Sequence, residues 1–469
     1  MKWETVIGLE THVELATETK LFCSCANRFG GDPNSRCCPV CLGLPGALPT
    51  LNRHAVELAL RAGLALECDI TPIQRFDRKN YCYPDLPKAF QISQLYLPLG
   101  RQGRLVLGNG KTVTIHEMHL EEDAGKLVHR GRLVEIDYNR CGVPLIEIVT
   151  DPDLSSPEEA VDYLTRLKRR LEFLGVSDCR MEEGSLRCDV NVSVRPAGST
   201  QLGVRTEMKN LSSFRAVAKA IAWESRRQIA LLERGREVVR ETRRWDEERE
   251  ESVVMRTKED AADYRFFPEP NLPPLVISRA WLEEVSANRP ELPEDKQMRY
   301  REVLGLKEED AAMLTSQREL AEYFEAGLAL GAPAGELANW MLGGVLRCRK
   351  ETGTITLSPR HLVKLLELVA RESINRGTGM KVLEAIFDSD GDPEEYVRAH
   401  GLEQVADEAP IRAAVAQVLA EYPEAVAELQ GGKAKAFGFL MGRVMRALEG
   451  RGEPAMVRSI LEQRLENTR

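Results

Sequence analysis

Hydrophobic and polar residues alternate with period two in four stretches of the first half of the chain, and this predicts strands. In "VIGLETHVEL", Ile7, Leu9, Val13 and Leu15 fall on one face with Thr11, and Glu10, His12 and Glu14 on the other. "RCDVNVSV" backs Asp189, Asn191 and Ser193 with Val190, Val192 and Val194. "HLEEDAGK" puts Glu122 on the face of Leu120 and Ala124 and turns Glu121 and Asp123 the other way, while "PLIEIVT" sets Glu147 among apolar neighbours. Between these strands, "HAVELALRAGLALEC", "PEEAVDYLTRLKRRLEFLG" and "FRAVAKAIAWESRRQIALLERG" carry the helical period. The second of these opens on "SSPEE", with Ser as cap, Pro in the first turn and acids against the dipole. "RLVLGNGKTVTI" reads as a hairpin about Asn109-Gly110. Its "GNGKT" is not a phosphate-binding loop, because Leu105 stands where that motif needs its first Gly.

A Pro-rich stretch, "FFPEPNLPPLVIS", closes this half, and from about residue 294 the pattern is one of amphipathic helices with Gly/Pro breaks. "FDSDGDPEEYVRAHG" then leads into a last helical piece. The expected division is 1–293, mixed α and β; 294–400, helical; and 401–469, a helical tail. A chain of 469 residues exceeds the ~250–300 that one core serves, which agrees with several domains.

Composition is that of a water-soluble chain, with 43% hydrophobic and 29% charged residues. No apolar run approaches the ~18 residues of a membrane span, and the N-terminus has no apolar signal core. The expectation is a cytoplasmic protein with no membrane association. Eleven Cys, an odd number, argue against a disulfide framework. A net charge of −9 excludes nucleic-acid binding through bulk charge and leaves room for a local basic patch.

Candidate chemistry begins with the acids on the strands. A buried carboxylate must be protonated, paired or bound to metal. Either these acids meet Arg and Lys across a polar sheet face, or Glu10, His12, Glu147, Asp189 and an acid of "HLEEDAGK" gather round a hard divalent ion such as Mg²⁺. "FCSCANRFGGDPNSRCCPVCLG" carries a second candidate. Cys23, Cys25, Cys38 and Cys41 flank a Gly/Pro/Asn loop and suit a closed, structural zinc site at 23–41, the other reading being reduced loop thiols. Cys37 is a fifth candidate.

"RFDRKNYCYPDLPKAFQISQ" reads as an ordered loop at a polar cavity, with Lys79 and Lys88 guiding polar substrates, or as a plain solvent-facing loop. The tail turns basic, with eight Lys/Arg against four Asp/Glu from Leu429 to Arg469. Gly431-Gly432 followed by Lys433, Lys435, Arg443 and Arg446 suits RNA-backbone contact or a solvated helix face.

Taken in order, "VIGLETHVEL", "FDRKNYCYPDLPKAFQISQ", "HLEEDAGK", "DYNRCGVPLIEIVTDPD", "MEEGSLRCDVNVSV" and "DYRFFPEP" closely resemble the B subunits of glutamine-dependent aspartyl/glutamyl-tRNA amidotransferases. The resemblance implies an α+β fold: an antiparallel-sheet cradle similar to glutamine synthetase, then an all-α helical domain and a small tRNA-binding tail domain. It implies a ligase that uses ATP and Mg²⁺ to phosphorylate the side-chain carboxylate of Glu-tRNA(Gln) or Asp-tRNA(Asn). Ammonia from a partner amidase, held together with a small third protein of the complex, then displaces the phosphate. Carried over by position, the Mg²⁺ ligands fall on His12, Glu122 and Glu147, with Glu10 and Asp189 close by for a second ion. The ammonia tunnel falls on Lys79, Lys88 and Glu122, and zinc on Cys23, Cys25, Cys38 and Cys41. Two departures stand out: Asn271 replaces the Asp that usually follows "FPEP", and "EGRGEP" lacks the usual Gly-Lys-Ala-Asn-Pro run. Two other functions fit the residues alone: a Mg²⁺-dependent phosphotransferase acting on a small carboxylic acid, and a non-catalytic zinc-containing RNA-binding module.

Overall fold

The computed structural model describes residues 2–257, 264–404, 408–430, 433, 435–448 and 452–466. The chain divides into two compact units, Met1–Pro293 and Glu294–Arg469.

The first unit is built on a nine-stranded sheet. Its strands are β1 (Trp3–Glu14), β2 (Asp69–Ile70), β3 (Gly100–Val106), β4 (Thr112–Glu122), β5 (Pro144–Thr150), β6 (Leu186–Pro196), β7 (Thr206–Lys209), β8 (Glu241–Asp246) and β9 (Glu251–Thr257). They lie in the order β9-β8-β7-β6-β1-β5-β4-β3-β2. Each neighbouring pair is antiparallel except β7 and β8, so the sheet is mixed rather than purely antiparallel. The exception has a local cause. Parallel neighbours need a crossover, and the helix Phe214–Glu233 supplies one between these two strands. The β3–β4 hairpin turns at Asn109-Gly110, where Gly110 sits at φ +84°, a conformation that glycine adopts without strain.

Three helices, α1 (Arg53–Ala65), α2 (Pro157–Phe173) and α3 (Phe214–Glu233), bury their apolar stripes against one face of the sheet. Leu9, Val13, Ile148, Val190 and Val192 from the strands meet Val56, Ala59, Leu164, Leu167, Val217 and Ile221 in one core. Each of the larger side chains contributes roughly 1.5–3 kcal/mol when removed from water. The caps match the sequence pattern. Ser156 accepts a hydrogen bond from the Glu159 amide at 3.2 Å, with Pro157 in the first turn and Glu158 and Glu159 against the dipole. With its apolar residues committed to the helices, β1 necessarily turns Glu10, His12 and Glu14 to the opposite face.

A smaller sheet joins Asp77–Asn80 to Phe90–Ser93 and to Phe267–Pro268. It sits at the Glu122 end of β4: Gln91 Nε2 donates to the Glu122 carbonyl at 2.7 Å, and Gln94 Oε1 accepts from the Leu120 amide at 2.9 Å.

In the second unit every described element is helical. One core gathers Tyr300, Leu314, Phe324, Trp340, Leu362 and Leu383, and another gathers Ile411, Val415, Leu440, Val444, Val457 and Leu461. Gly431-Gly432 lies outside the described residues. Among the described residues no helix is long and apolar enough to cross a membrane.

Leu164→Ala is expected to lower the unfolding free energy of the first unit by about 2–5 kcal/mol, because Leu164 is fully buried under the sheet. Glu158→Ala, at the exposed first turn of the same helix, should cost at most about 1 kcal/mol. Urea titration followed by circular dichroism compares the two.

Candidate functional site

The four acid-bearing segments are immediate neighbours in the sheet, in the order β6-β1-β5-β4. Directly opposed residues on antiparallel strands share a face. His12 lies opposite Glu147 on one side and Arg187 on the other, and Glu10 lies opposite Asp189. Leu145 lies opposite Glu121, which brings that carboxylate to the same face. The His12 Nε2 atom stands 3.7 Å from a Glu10 oxygen, 3.8 Å from Glu121 and 3.9 Å from Glu147. Two overlapping sets of ligand atoms result: His12, Glu121 and Glu147; and Glu10, His12 and Asp189, each within 4.8 Å of one another.

The resemblance pointed to Glu122 at this position. Glu121, and not Glu122, joins His12 and Glu147. The reason is strand alternation: Glu122 follows Leu120 onto the opposite face, where the smaller sheet covers it and its Oε1 accepts from the Ile92 amide at 3.0 Å and pairs with Lys88.

Charge at the centre of the face is not balanced. Asp123 is neutralised by Arg187 at 2.9 Å and Arg140 at 3.5 Å, and Asp189 by contact with Lys209. Glu10, Glu121 and Glu147 are left around His12, and burial followed by the charges of Glu121 and Glu10 pushes the Glu147 carboxyl far above its ordinary range. Lys79 is the cation that answers them. Burial works against its ammonium, but Glu121, Glu147 and Glu10 outweigh burial and hold its pKa above the ordinary value. Beyond them, burial and the neighbouring Asp123 lift Glu14 to about 8. One Glu121 oxygen, Oε2, is buried with no hydrogen-bond partner.

These observations fit a divalent ion. Oxygen and nitrogen ligands ~2.1 Å from a common Mg²⁺ lie roughly 3–4.2 Å from one another, the range seen about His12. The orphaned oxygen and the excess negative charge are what such an ion would satisfy.

The cysteine loop is a second site, and its Cys23 and Cys41 share a cavity wall with Glu122. Cys23, Cys25, Cys38 and Cys41 converge, and the Cys37 sulfur, outside that set, stands 4.0 Å from the Asn139 side chain. The Cys38 and Cys41 sulfurs are 3.9 Å apart, close to the ~3.8 Å edge of a tetrahedron with ~2.3 Å metal–sulfur bonds. The Cys38 amide donates to the Cys41 sulfur at 3.1 Å. A hydrogen bond from Cys23, this amide and the Lys20 charge together overcome burial and lower Cys41 to about 4, a thiolate ready for a cation. Lys20 is fully buried, and its ammonium donates to the Arg36 carbonyl at 2.9 Å. Asn139 clamps the same loop, accepting from the Arg36 amide at 2.8 Å and donating to the Asp32 carbonyl at 2.7 Å.

Lys88 and Glu122 wall a cavity of about 160 Å³ with Phe22, Cys41, Phe90 and Glu269. Lys79 lies on the acidic side, directly across from Gln91 in the smaller sheet. In the tail, Lys433 pairs with Glu428 at 2.7 Å, and Arg443 stacks on Tyr422 and Phe439 at 4.9 and 5.0 Å. Lys435 and Arg446 are exposed.

Residues 5–283 match the family model described as the GatB/GatE catalytic domain, and residues 322–465 match the one described as the GatB domain. The chain is 49% identical over 472 residues to the B subunit of the aspartyl/glutamyl-tRNA(Asn/Gln) amidotransferase of Lachnoclostridium phytofermentans, covering 99% of both chains. It is 50% identical over 480 residues to the protein of that name from Caldicellulosiruptor bescii, covering 99% of this chain and 100% of the relative. The protein of that name from Thermoanaerobacter pseudethanolicus is 50% identical over 476 residues, again covering 99% and 100%.

Titration with Mn²⁺, read by electron paramagnetic resonance, should show Glu121→Gln weakening the ion at least about 10-fold and Glu122→Gln changing it by less than about twofold. Because the ion competes with the proton that Glu147 retains, affinity should rise with pH. Cys38→Ala should reduce zinc, measured by plasma emission, from about one per chain to below about 0.2 and lower the thermal midpoint.

Proposed function

The chain belongs to the GatB/GatE family, and we propose that its acidic sheet face is where an amino-acid carboxylate carried on tRNA is activated for amidation. The activity is that of a carbon–nitrogen ligase of the aspartyl/glutamyl-tRNA(Asn/Gln) amidotransferase type, acting in a multi-subunit complex. Glu-tRNA(Gln), Asp-tRNA(Asn) or both are the substrates, and the corresponding Gln-tRNA(Gln) and Asn-tRNA(Asn) the products. ATP supplies the phosphoryl group. A partner amidase, held together with a small third protein of the complex, supplies ammonia, and the work is done in the cytoplasm.

A carboxylate is a poor electrophile because oxide leaves badly. Its oxygen attacks the γ-phosphorus of ATP, ADP departs, and an acyl phosphate results. Ammonia then attacks the acyl carbon; the C–O bond breaks with its electron pair on phosphate, and a proton leaves the nitrogen. Mg²⁺, when bound, neutralises phosphate oxygens. His12, Glu121 and Glu147 would hold it, with Glu10 and Asp189 available to a second ion. Lys79 adds a fixed positive charge beside them. Arg187 and Arg140 restrain Asp123, so that it does not add to the repulsion at the centre. The Cys23, Cys25, Cys38 and Cys41 loop would be tied by zinc as a structural element. Lys88, Glu122 and Lys79 would mark the path of ammonia, from the small cavity beside Glu122 toward the acids. In the second unit, residues 294–400 would form the helical domain and 401–469 the tail that contacts tRNA through Lys433, Lys435, Arg443 and Arg446.

The observation that carries this reading is the set of carboxylates, Glu10, Glu147 and Glu121, left unneutralised about His12 on three adjacent strands, in a chain of this family. The assembled complex is expected to release ADP from ATP and Mg²⁺ only when charged tRNA is present. Glu121→Gln should lower that rate about 100-fold, equivalent to about 2.7 kcal/mol of barrier. ADP release with free glutamate alone would instead identify a small-acid phosphotransferase, and RNA binding without turnover a binding module.

A further inference from the structure

The strand that carries the acid cluster runs between two cavities. At its start, Val6 and Gly8 line one of about 220 Å³ with Asn191, Ser193 and Leu202. At its end, Glu14 lines a larger one of about 430 Å³, within the ~300–1,000 Å³ range of sites that hold small-molecule-sized groups. The walls of the larger cavity come from the cysteine loop, the Lys126–Arg130 strand and the Met181–Gly184 turn. No step of the proposed chemistry has used it.

Its chemistry is specific. Phe29, at the tip of the cysteine loop, is 69% exposed and presents its ring to the cavity wall. Arg28 and Lys126 are exposed on the same walls. Gly30 and Gly31 follow at φ +75° and +91°, so the backbone there carries no side chain to block approach. Four carboxyl groups complete the lining: Asp137 accepts from the Asn34 and Asn139 amides and Glu183 pairs with Arg180 at 2.7 Å, which leaves Glu182 and Glu14, the latter on the acid-bearing strand itself. An exposed ring flanked by cations is what a single-stranded nucleic-acid end requires, the ring for stacking and the cations for phosphates. A site for a free nucleotide would have no use for the two acids. An aminoacyl nucleotide would, because its α-amino group is a hydrogen-bond donor and, when protonated, a cation.

Distance agrees with this. Glu14 and His12 lie on the same face two strand residues apart, about 7 Å. From its α-amino nitrogen to its carboxyl carbon an extended glutamyl group spans about 5 Å, and the hydrogen bond to Glu14 adds about 3 Å. An aminoacyl ester held at Glu14 therefore reaches the acid cluster with its side-chain carboxylate and leaves its adenosine in the cavity.

Resting on the proposed function, we infer that this cavity receives the 3′-terminal aminoacyl-adenosine of the charged tRNA, with the base stacked on Phe29, the phosphates near Arg28 and Lys126, and the α-amino group donating to Glu14 and Glu182.

The test uses the assembled complex and tRNA carrying 2-aminopurine at its terminal base. Stacking on Phe29 quenches the fluorescence on binding; Phe29→Ala removes the quench and Phe29→Trp keeps it. With natural charged tRNA, Phe29→Ala raises KM for the tRNA about 10-fold, the scale of one stacked base, and leaves KM for ATP within about twofold. Arg28→Ala and Lys126→Ala each weaken tRNA and flatten the salt dependence of its binding. Retained zinc serves as the folding control. An active complex whose quench and KM are unchanged by Phe29→Ala overturns the placement, and so does a variant that raises KM for ATP alone. A parent complex that turns over no ATP with charged tRNA overturns the underlying reading instead.

Discussion

Negative charge that the protein does not itself neutralise is the constraint around which the first unit is arranged. Carboxylates of Glu10, Glu121 and Glu147 surround one imidazole, and the nearby ammonium of Lys79 answers only part of their charge. Buried like charges of this kind are costly in a sheet whose other face is a well-filled core. The surroundings limit that cost. Asp123 and Asp189, which would have added to it, are each paired with a cation of their own. What remains is an excess of negative charge about His12 that a cation would offset, so the feature that costs the face stability is also the one that fits a divalent ion.

The cysteine loop depends on a different balance. It has almost no regular hydrogen-bonded structure of its own. Lys20 and Asn139 tie its backbone to the body of the unit, and the four sulfurs meet where a metal would close it. The loop thus projects Phe29 from an anchored base, and it contributes to the walls of two separate cavities.

Much of this was legible in the residues. Period-two alternation turned Glu10 and His12 to a common face and Asp189 away from its valines, and period 3.6 located α1, α2 and α3, with the Ser-Pro-Glu-Glu start marking the cap of α2. Alternation also separated Glu121 from Glu122; the resemblance pointed to Glu122 as a ligand, whereas the register of Leu145 against Glu121 brings Glu121 beside His12. The parallel β7–β8 pair was not legible, because strand order is a property of how distant segments pack and not of any local pattern. Lys20, Arg140 and Arg187 were missed for the same reason. A lone basic residue in sequence looks the same whether it points to water or to a buried acceptor on another segment.

The alternation of Glu121 and Glu122 has an evolutionary consequence. Two neighbouring carboxylates serve opposite sides of one wall, one turned to the His12 cluster and the other to Lys88. Inserting or deleting a single codon within β4 would exchange their sides and, with them, every side chain from there to the strand's end. Point substitutions can explore this segment one compartment at a time, but changes of length cannot. The hairpin at Asn109-Gly110, where a turn can absorb an extra residue, is the nearest place at which the gene is free to grow or shrink.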